Sequence, residues 1–139
     1  MKVLFDTNVI IDAMTARDYS FKDSQELIKK VIIGEIKGAI TAKQITDIYF
    51  ILRKYFDTEE KRREAINLII DTFEVVPTLK SDLKYCVNSQ IADYEDAVLD
   101  EVAKVNCFNF IVTNNIKDFH HSKTAILTPN QLLGLFPNI

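Results

Sequence analysis

Four aspartates, Asp6, Asp47, Asp96 and Asp118, carry most of the chemistry on offer in this sequence. Asp6 opens Asp6-Thr7-Asn8 where the β-rich run Lys2–Phe5 ends, and Asp118 closes Thr113-Asn114-Asn115-Ile116-Lys117-Asp118 after a second apolar run. Asp96 follows Asp93 in Asp93-Tyr94-Glu95-Asp96-Ala97, and Asp47 borders the apolar stripe Ile48, Ile51 and Tyr55. Carboxylates that converge at neutral pH repel one another unless cations stand among them. Oxygen ligands without His or Cys suit Mg²⁺ or Mn²⁺. Such a site polarises a phosphate oxygen, generates hydroxide and stabilises the leaving oxygen in phosphodiester hydrolysis, with no protein general base required. Thr7, Asn8, Thr113 and Asn115 add hydroxyls and amides that can orient ligands and water.

Each acid also has a purely structural reading. Asp6 or Asn8 can cap a short helix or make an Asx turn, and Asn114-Asn115 is good turn chemistry around Asp118. Asp93 reads as an N-cap that leaves Asp96 at N3, where a carboxylate complements the helix dipole. Yet Asp96 shares a helix face with Leu99, Ala103 and Cys107, which aims it at an apolar interior where it needs a partner. Asp47 has Ile51 at i+4 and only the weaker-oriented Lys43 at i−4, so solvent exposure is its default.

The elements that must position these residues read as alternating strands and helices. Lys2–Phe5 is a strand and Val9–Met14 a short helix. Ser20–Lys37 reads as a helix, with Gly38 as the glycine just past its end. Gly38–Thr41 is a minimal strand, and Thr41 with Gln44 forms a capping box for a helix over Lys43–Phe56. Thr58 opens another helix to about Asp71. Phe73–Val76 is a strand before Pro77, and Ser81–Ser89 a short helix. Asp93 starts a helix to Val105, and Phe108–Thr113 is the strongest strand, nearly continuous in apolar residues. Asn114–Ser122 is a polar loop and Thr124–Leu127 a last strand. Thr128-Pro129-Asn130-Gln131 starts a closing helix. This alternation predicts a three-layer α/β/α sandwich with a mostly parallel sheet, whose ligands gather beyond the carboxyl ends of the strands. Asp6 and Asp118 both stand there.

Composition narrows the rest. A chain of 139 residues, 47% hydrophobic and 27% charged, is sized for a single domain over 1–139. A net charge of −3 argues against a strongly basic nucleic-acid binder, but not against a site that reaches phosphates through metal ions. With two histidines, His120 and His121, a His-based metal site is not expected. Cys86 and Cys107 lack CxxC spacing and read as reduced, buried thiols. No apolar run approaches the ~18 residues of a membrane span, and the start MKVLFDTN carries no apolar signal segment, so a cytoplasmic protein is expected. The clusters Lys29-Lys30 and Lys61-Arg62-Arg63 read as solvated helix faces, and Tyr49, Phe50, Tyr55 and Phe56 as core or dimer interface. The absence of GxxxxGK[ST] and GxGxxG leaves a nucleotide P-loop and a dinucleotide cofactor unsupported.

Together these pieces resemble the PIN domain family, especially its VapC-like toxin branch. The matching segments are Val3-Leu4-Phe5-Asp6-Thr7-Asn8, Ile45-Thr46-Asp47-Ile48-Tyr49, Tyr94-Glu95-Asp96-Ala97 and Ile111 to Phe119. The resemblance implies a Rossmann-like α/β/α sandwich and a metal-dependent endoribonuclease. It implies that Asp6, Asp47, Asp96 and Asp118 bind one or two Mg²⁺ or Mn²⁺ ions, with Thr113 and Asn115 as accessory polar positions. It further implies an RNA substrate, an antitoxin partner that occludes the site, and a homodimer. The second acid of the family is commonly Glu, and Asp47 is one methylene shorter. Two rival readings follow from the same residues. A non-catalytic PIN-like module that binds RNA or protein would be marked by Asp47. A phosphatase of the haloacid dehalogenase type would need a second Asp where this chain has Asn8.

Overall fold

The computed structural model describes residues 1–17 and 21–137. Five short parallel strands form one sheet: β1 (Lys2–Phe5), β2 (Lys37–Thr41), β3 (Glu74–Val76), β4 (Phe110–Val112) and β5 (Ala125–Leu127). Their order across the sheet is β3-β2-β1-β4-β5, with every pairing parallel. The first strand is therefore the central one, with Leu4 level with Ala39 on one side and Ile111 on the other.

Strand alternation sends successive side chains of β1 to opposite faces. Val3 and Phe5 join a core with α1 (Thr7–Thr15), α2 (Phe21–Ile32), α3 (Ala42–Leu52), α4 (Glu59–Thr72) and α7 (Pro129–Leu133). Phe5 meets Phe73 edge to face there, with ring centroids 5.0 Å apart. Leu4, Ala39 and Ile111 face the other way, onto α6 (Tyr94–Val105) and the segment through α5 (Lys80–Tyr85) and Cys86. Helices thus cover both faces, and the expected three-layer α/β/α sandwich is the observed architecture.

Local chemistry starts most helices where the sequence places them. The Thr41–Gln44 and Thr128–Gln131 capping boxes form, and Thr58 and Asp93 accept amides at the starts of α4 and α6. Several boundaries differ. The long helix expected over 20–37 is α2, ending at Ile32, and residue 20 lies outside the described residues. Gly34, at φ +84°, makes the left-handed turn after it. Gly38 lies inside β2, where an added Cβ would stand 2.8 Å from Val31 Cγ2. The helix expected to reach Phe56 stops at Leu52, and the strand expected over 108–113 is three residues long. The polar loop after it includes a 3₁₀ turn, Ile116–Phe119. Both thiols are free, but only Cys86 is buried: α6 ends at Val105 and leaves Cys107 exposed at φ +58°.

Candidate metal and active site

The order β3-β2-β1-β4-β5 reverses direction between β1 and β4. A crevice outside the carboxyl ends of strands at such a reversal is where open α/β sheets bind ligands. Asp6 leaves β1 at this point and Asp118 follows β4.

Asp6 performs the capping role and offers more. Its Oδ1 accepts the Thr7 amide at 2.8 Å and caps α1. Its Oδ2 accepts the Thr113 hydroxyl at 2.7 Å and the Asn8 side-chain amide at 3.1 Å. A carboxylate has about four lone-pair positions, so this one keeps room for a further partner. Burial pushes the Asp6 carboxyl above its ordinary value. The bonds from Thr113, Thr7 and Asn8 pull it back, and the charge of Asp118 raises it further.

The hydroxyl of Thr113 also accepts the Asn115 amide at 3.0 Å, and the Asn8 carbonyl accepts the Asn114 amide at 3.2 Å. Thr113, at the end of β4, is fully buried. The Asn114 side chain donates in turn to Asp12, a buried acid of α1 that Arg17 also contacts. The turn after β1 and the turn after β4 are thereby tied into one polar network. Asn115 contributes its amide, and its side chain is solvent-facing.

Asp96 sits in the first turn of α6, half-buried, one turn below Leu99. Its carboxyl is raised to about 7. Burial is the largest cause, followed by the charges of Asp6, Asp93, Asp118 and Glu95. Among the described residues no hydrogen-bond donor reaches the Asp96 or Asp118 carboxylate. Asp118 is exposed on the 3₁₀ turn, close enough to both Asp6 and Asp96 to raise their carboxyls.

A cleft of about 210 Å³ is lined by Asp6, Thr7, Asp47, Glu95 and Asp96 from three sides. Asp118 lies in a neighbouring hollow with Asp93, His120 and His121. Asp47 enters the cleft because Gln44 anchors α3 to the end of β1. The Gln44 amide donates to the Phe5 carbonyl at 2.8 Å and to the Thr7 hydroxyl at 3.3 Å. Asp47 is not the freely exposed acid expected. Lys43 Nζ lies 2.7 Å from Asp47 Oδ2 and 3.1 Å from Glu95 Oε1, joining α3 to α6 across the cleft mouth. Sequence reasoning missed Lys43, Glu95 and Gln44 as parts of the site. The capping box was a signal for Gln44, but the pairing of Lys43 with Glu95 spans 52 residues and leaves no local signal.

The donor set is all oxygen and all acidic, which fits a hard divalent cation. Among the described residues, no three such side chains already stand gathered as a metal site would hold them. Carboxylates that repel do not close on a common point without a cation between them. The raised carboxyl of Asp96 and the open lone pair of Asp6 are features that a cation would satisfy.

A parallel α/β sandwich with acids at the strand ends of its topological switch defines the class: a Rossmann-like domain. The chain belongs to the PIN domain family, whose model matches residues 2–117. It is 24% identical over 135 residues to Ribonuclease VapC1 of Aquifex aeolicus, a match covering 94% of this chain and 92% of that one. Its fold is similar to that of VapBC-1 from nontypeable Haemophilus influenzae, with a TM-score of 0.70, 16% identity, and 94% and 99% of the two chains covered. VapBC2 from Rickettsia felis, solved bound to a DNA fragment from its promoter, matches with a TM-score of 0.66 and 17% identity over 92% and 98% of the chains.

Proposed function

We propose that the protein is a metal-dependent endoribonuclease that cleaves RNA phosphodiester bonds, and that it is the toxin of a toxin–antitoxin pair. The observation that carries the reading is the placement of Asp6 and Asp118 just after β1 and β4 at the sheet's switch, near enough that both charges raise the carboxyl of Asp96. Membership of the PIN family and the likeness to a VapC ribonuclease support the substrate class. The antitoxin partner rests on the VapBC neighbours, and the homodimer on the family resemblance alone.

Asp6, Asp96 and Asp118 would hold Mg²⁺ or Mn²⁺. The bound ion supplies Lewis acidity toward a phosphate oxygen and acidifies water. Thr113, Asn8 and the Thr7 amide fix the Asp6 carboxylate so that it does not rotate as the substrate enters. Asn115 holds the Thr113 hydroxyl through its backbone amide. Asp47 lines the cleft from α3, tethered by Lys43, and among the described residues that lysine is the one cation in a lining that carries four acids.

A second reading has a specific observation behind it. Asp47 is ion-paired and no three acids are already gathered, as a non-catalytic RNA- or protein-binding module would allow. Cleavage of a mixed RNA with Mn²⁺ decides between them. Wild type should cut, and Asp6→Asn and Asp96→Asn should each lose about 100-fold or more in rate. Activity that survives both substitutions rejects the nuclease site.

A further inference from the structure

Beside the hollow that holds Asp118, two lysine heads gather around one exposed ring. Lys123 Nζ lies 4.3 Å and Lys104 Nζ 5.3 Å from the centroid of Tyr85, and Lys123 also donates to the Tyr85 hydroxyl. Tyr85 is 55% exposed. Lys84 lines the same hollow. Like charges held side by side at a surface repel, and an anion between them relieves the repulsion.

The acids beneath are already engaged. Asp100 is buried and accepts the Ser122 hydroxyl and the amides of Lys123 and Thr124. Glu101 is buried and its Oε1 stands 3.9 Å from Lys104 Nζ, at the outer limit of an ion pair, and the Lys104 side chain stays 47% exposed. Asp82 is buried and accepts the Leu79 amide. The outward face of the patch is therefore cationic on a chain whose net charge is −3.

This hollow is continuous with the catalytic region. His121 and Gln90 line both it and the neighbouring hollow that contains Asp93, Asp118 and His120. A path of polar and cationic side chains thus runs from Asp118, past the adjacent rings of His120 and His121, to Lys123, Tyr85 and Lys104.

We propose that Tyr85, Lys104 and Lys123 form an anchoring site for the sugar–phosphate backbone of single-stranded RNA flanking the bond to be cut. The proposal rests on RNA being the substrate. Paired ammonium groups at an aromatic ring suit a flexible polyanion with bases that can lie against aromatic surface. Lys104 and Lys123 act on binding of the flanking strand and touch no reacting atom.

The test is binding in EDTA, without turnover, of a fluorescein-labelled mixed RNA of about 16 nucleotides and of one of about four. Lys104→Gln/Lys123→Gln should bind the long RNA about tenfold more weakly at 0.1 M salt. The slope of log affinity against log salt should fall by about 1.4, the share of two phosphates. The short RNA should bind as to wild type, and its Mn²⁺-dependent cleavage should be unchanged. Lys104→Arg/Lys123→Arg should restore long-RNA binding, and Tyr85→Leu should weaken it even if the glutamine pair fails to fold. Unchanged long-RNA affinity and slope in the folded glutamine variant overturn the proposal. So does equal weakening for both lengths, or a lysine dependence seen with poly-glutamate instead of RNA, which marks a protein-binding face. RNA that is bound through these lysines but never cut would sink the nuclease reading and leave the anchor standing.

Discussion

The Thr113 hydroxyl donates to Asp6 Oδ2 at 2.7 Å, joining residues 107 positions apart in the chain. The Thr113 hydroxyl oxygen in turn accepts the Asn115 amide, so β4 orients the carboxylate that β1 delivers. Replacing this hydroxyl by a methyl group leaves both Asp6 and the Asn115 amide short of a partner. Thr113→Val should cost about 1–3 kcal/mol of stability, read from denaturant unfolding. Cleavage should fall about 10- to 100-fold while the fold persists. Wild-type activity in the folded variant would show that Asp6 needs no such support.

The Asp96 carboxyl makes a pH prediction with a definite sign. Its pKa is about 7 in the folded protein against an ordinary 3.8. Between these values the folded protein holds a proton that the unfolded chain has released. The stability this group contributes is complete below the unfolded value and is lost as pH rises through about 7. Burial moves Asp6 in the same direction. Thermal melts of the metal-free protein should lose more stability from about pH 5 to about pH 8 in wild type than in Asp96→Asn. Added Mn²⁺ should raise the melting temperature at the upper pH, where the site is ionised, by the equivalent of about 2.7 kcal/mol at 100 times its Kd. Parallel melting curves for the two proteins would refute the assignment.

Lys43, Asp47 and Glu95 are all substantially exposed, with side-chain exposures of 50%, 41% and 72%. Exposed pairs contribute about 0–1 kcal/mol. Lys43→Ala should leave stability within about 1 kcal/mol of wild type. Asp47→Asn should lower kcat/KM about tenfold or less, far below the effect of Asp6→Asn. Equal losses for the two acids would place Asp47 beside Asp6 in the chemistry.

The two glycines near β2 separate close packing from backbone strain. Gly38→Ala drives a methyl group to 2.8 Å from Val31 and 3.0 Å from Phe73, and should cost about 1–3 kcal/mol. Gly34→Ala meets no atom within 4 Å but must hold φ +84°, and should cost about 1 kcal/mol. Urea midpoints should fall in that order.

Much of the fold was legible because short-range chemistry writes it. Thr41, Thr58, Asp93 and Thr128 announce helix starts, and Val3, Leu4 and Phe5 announce a strand covered on both faces. Helix ends were less legible. Ile36 continues the apolar period of α2, yet the chain has already turned at Gly34 and enters β2. The acids were legible as strand-end and helix-start residues. Their partners were not, because the contacts of Lys43 with Glu95 and of Asn114 with Asp12 join segments far apart in the chain, and no local pattern encodes them. Asp47 shows the cost: Lys43 on its own helix was in view, but the link through that lysine to Glu95 of α6 comes only from packing.

The central place of the first strand has a consequence for synthesis. β1 is made well before its second flank, residues 110–112, and the Thr113 hydroxyl that orients Asp6 follows them. A nascent chain that has delivered only its first hundred residues holds Asp6, Asp47 and Asp96 but not the strand that organises them. In such a chain the Asp6 carboxylate has neither the Thr113 hydroxyl nor the β4 flank to fix its direction.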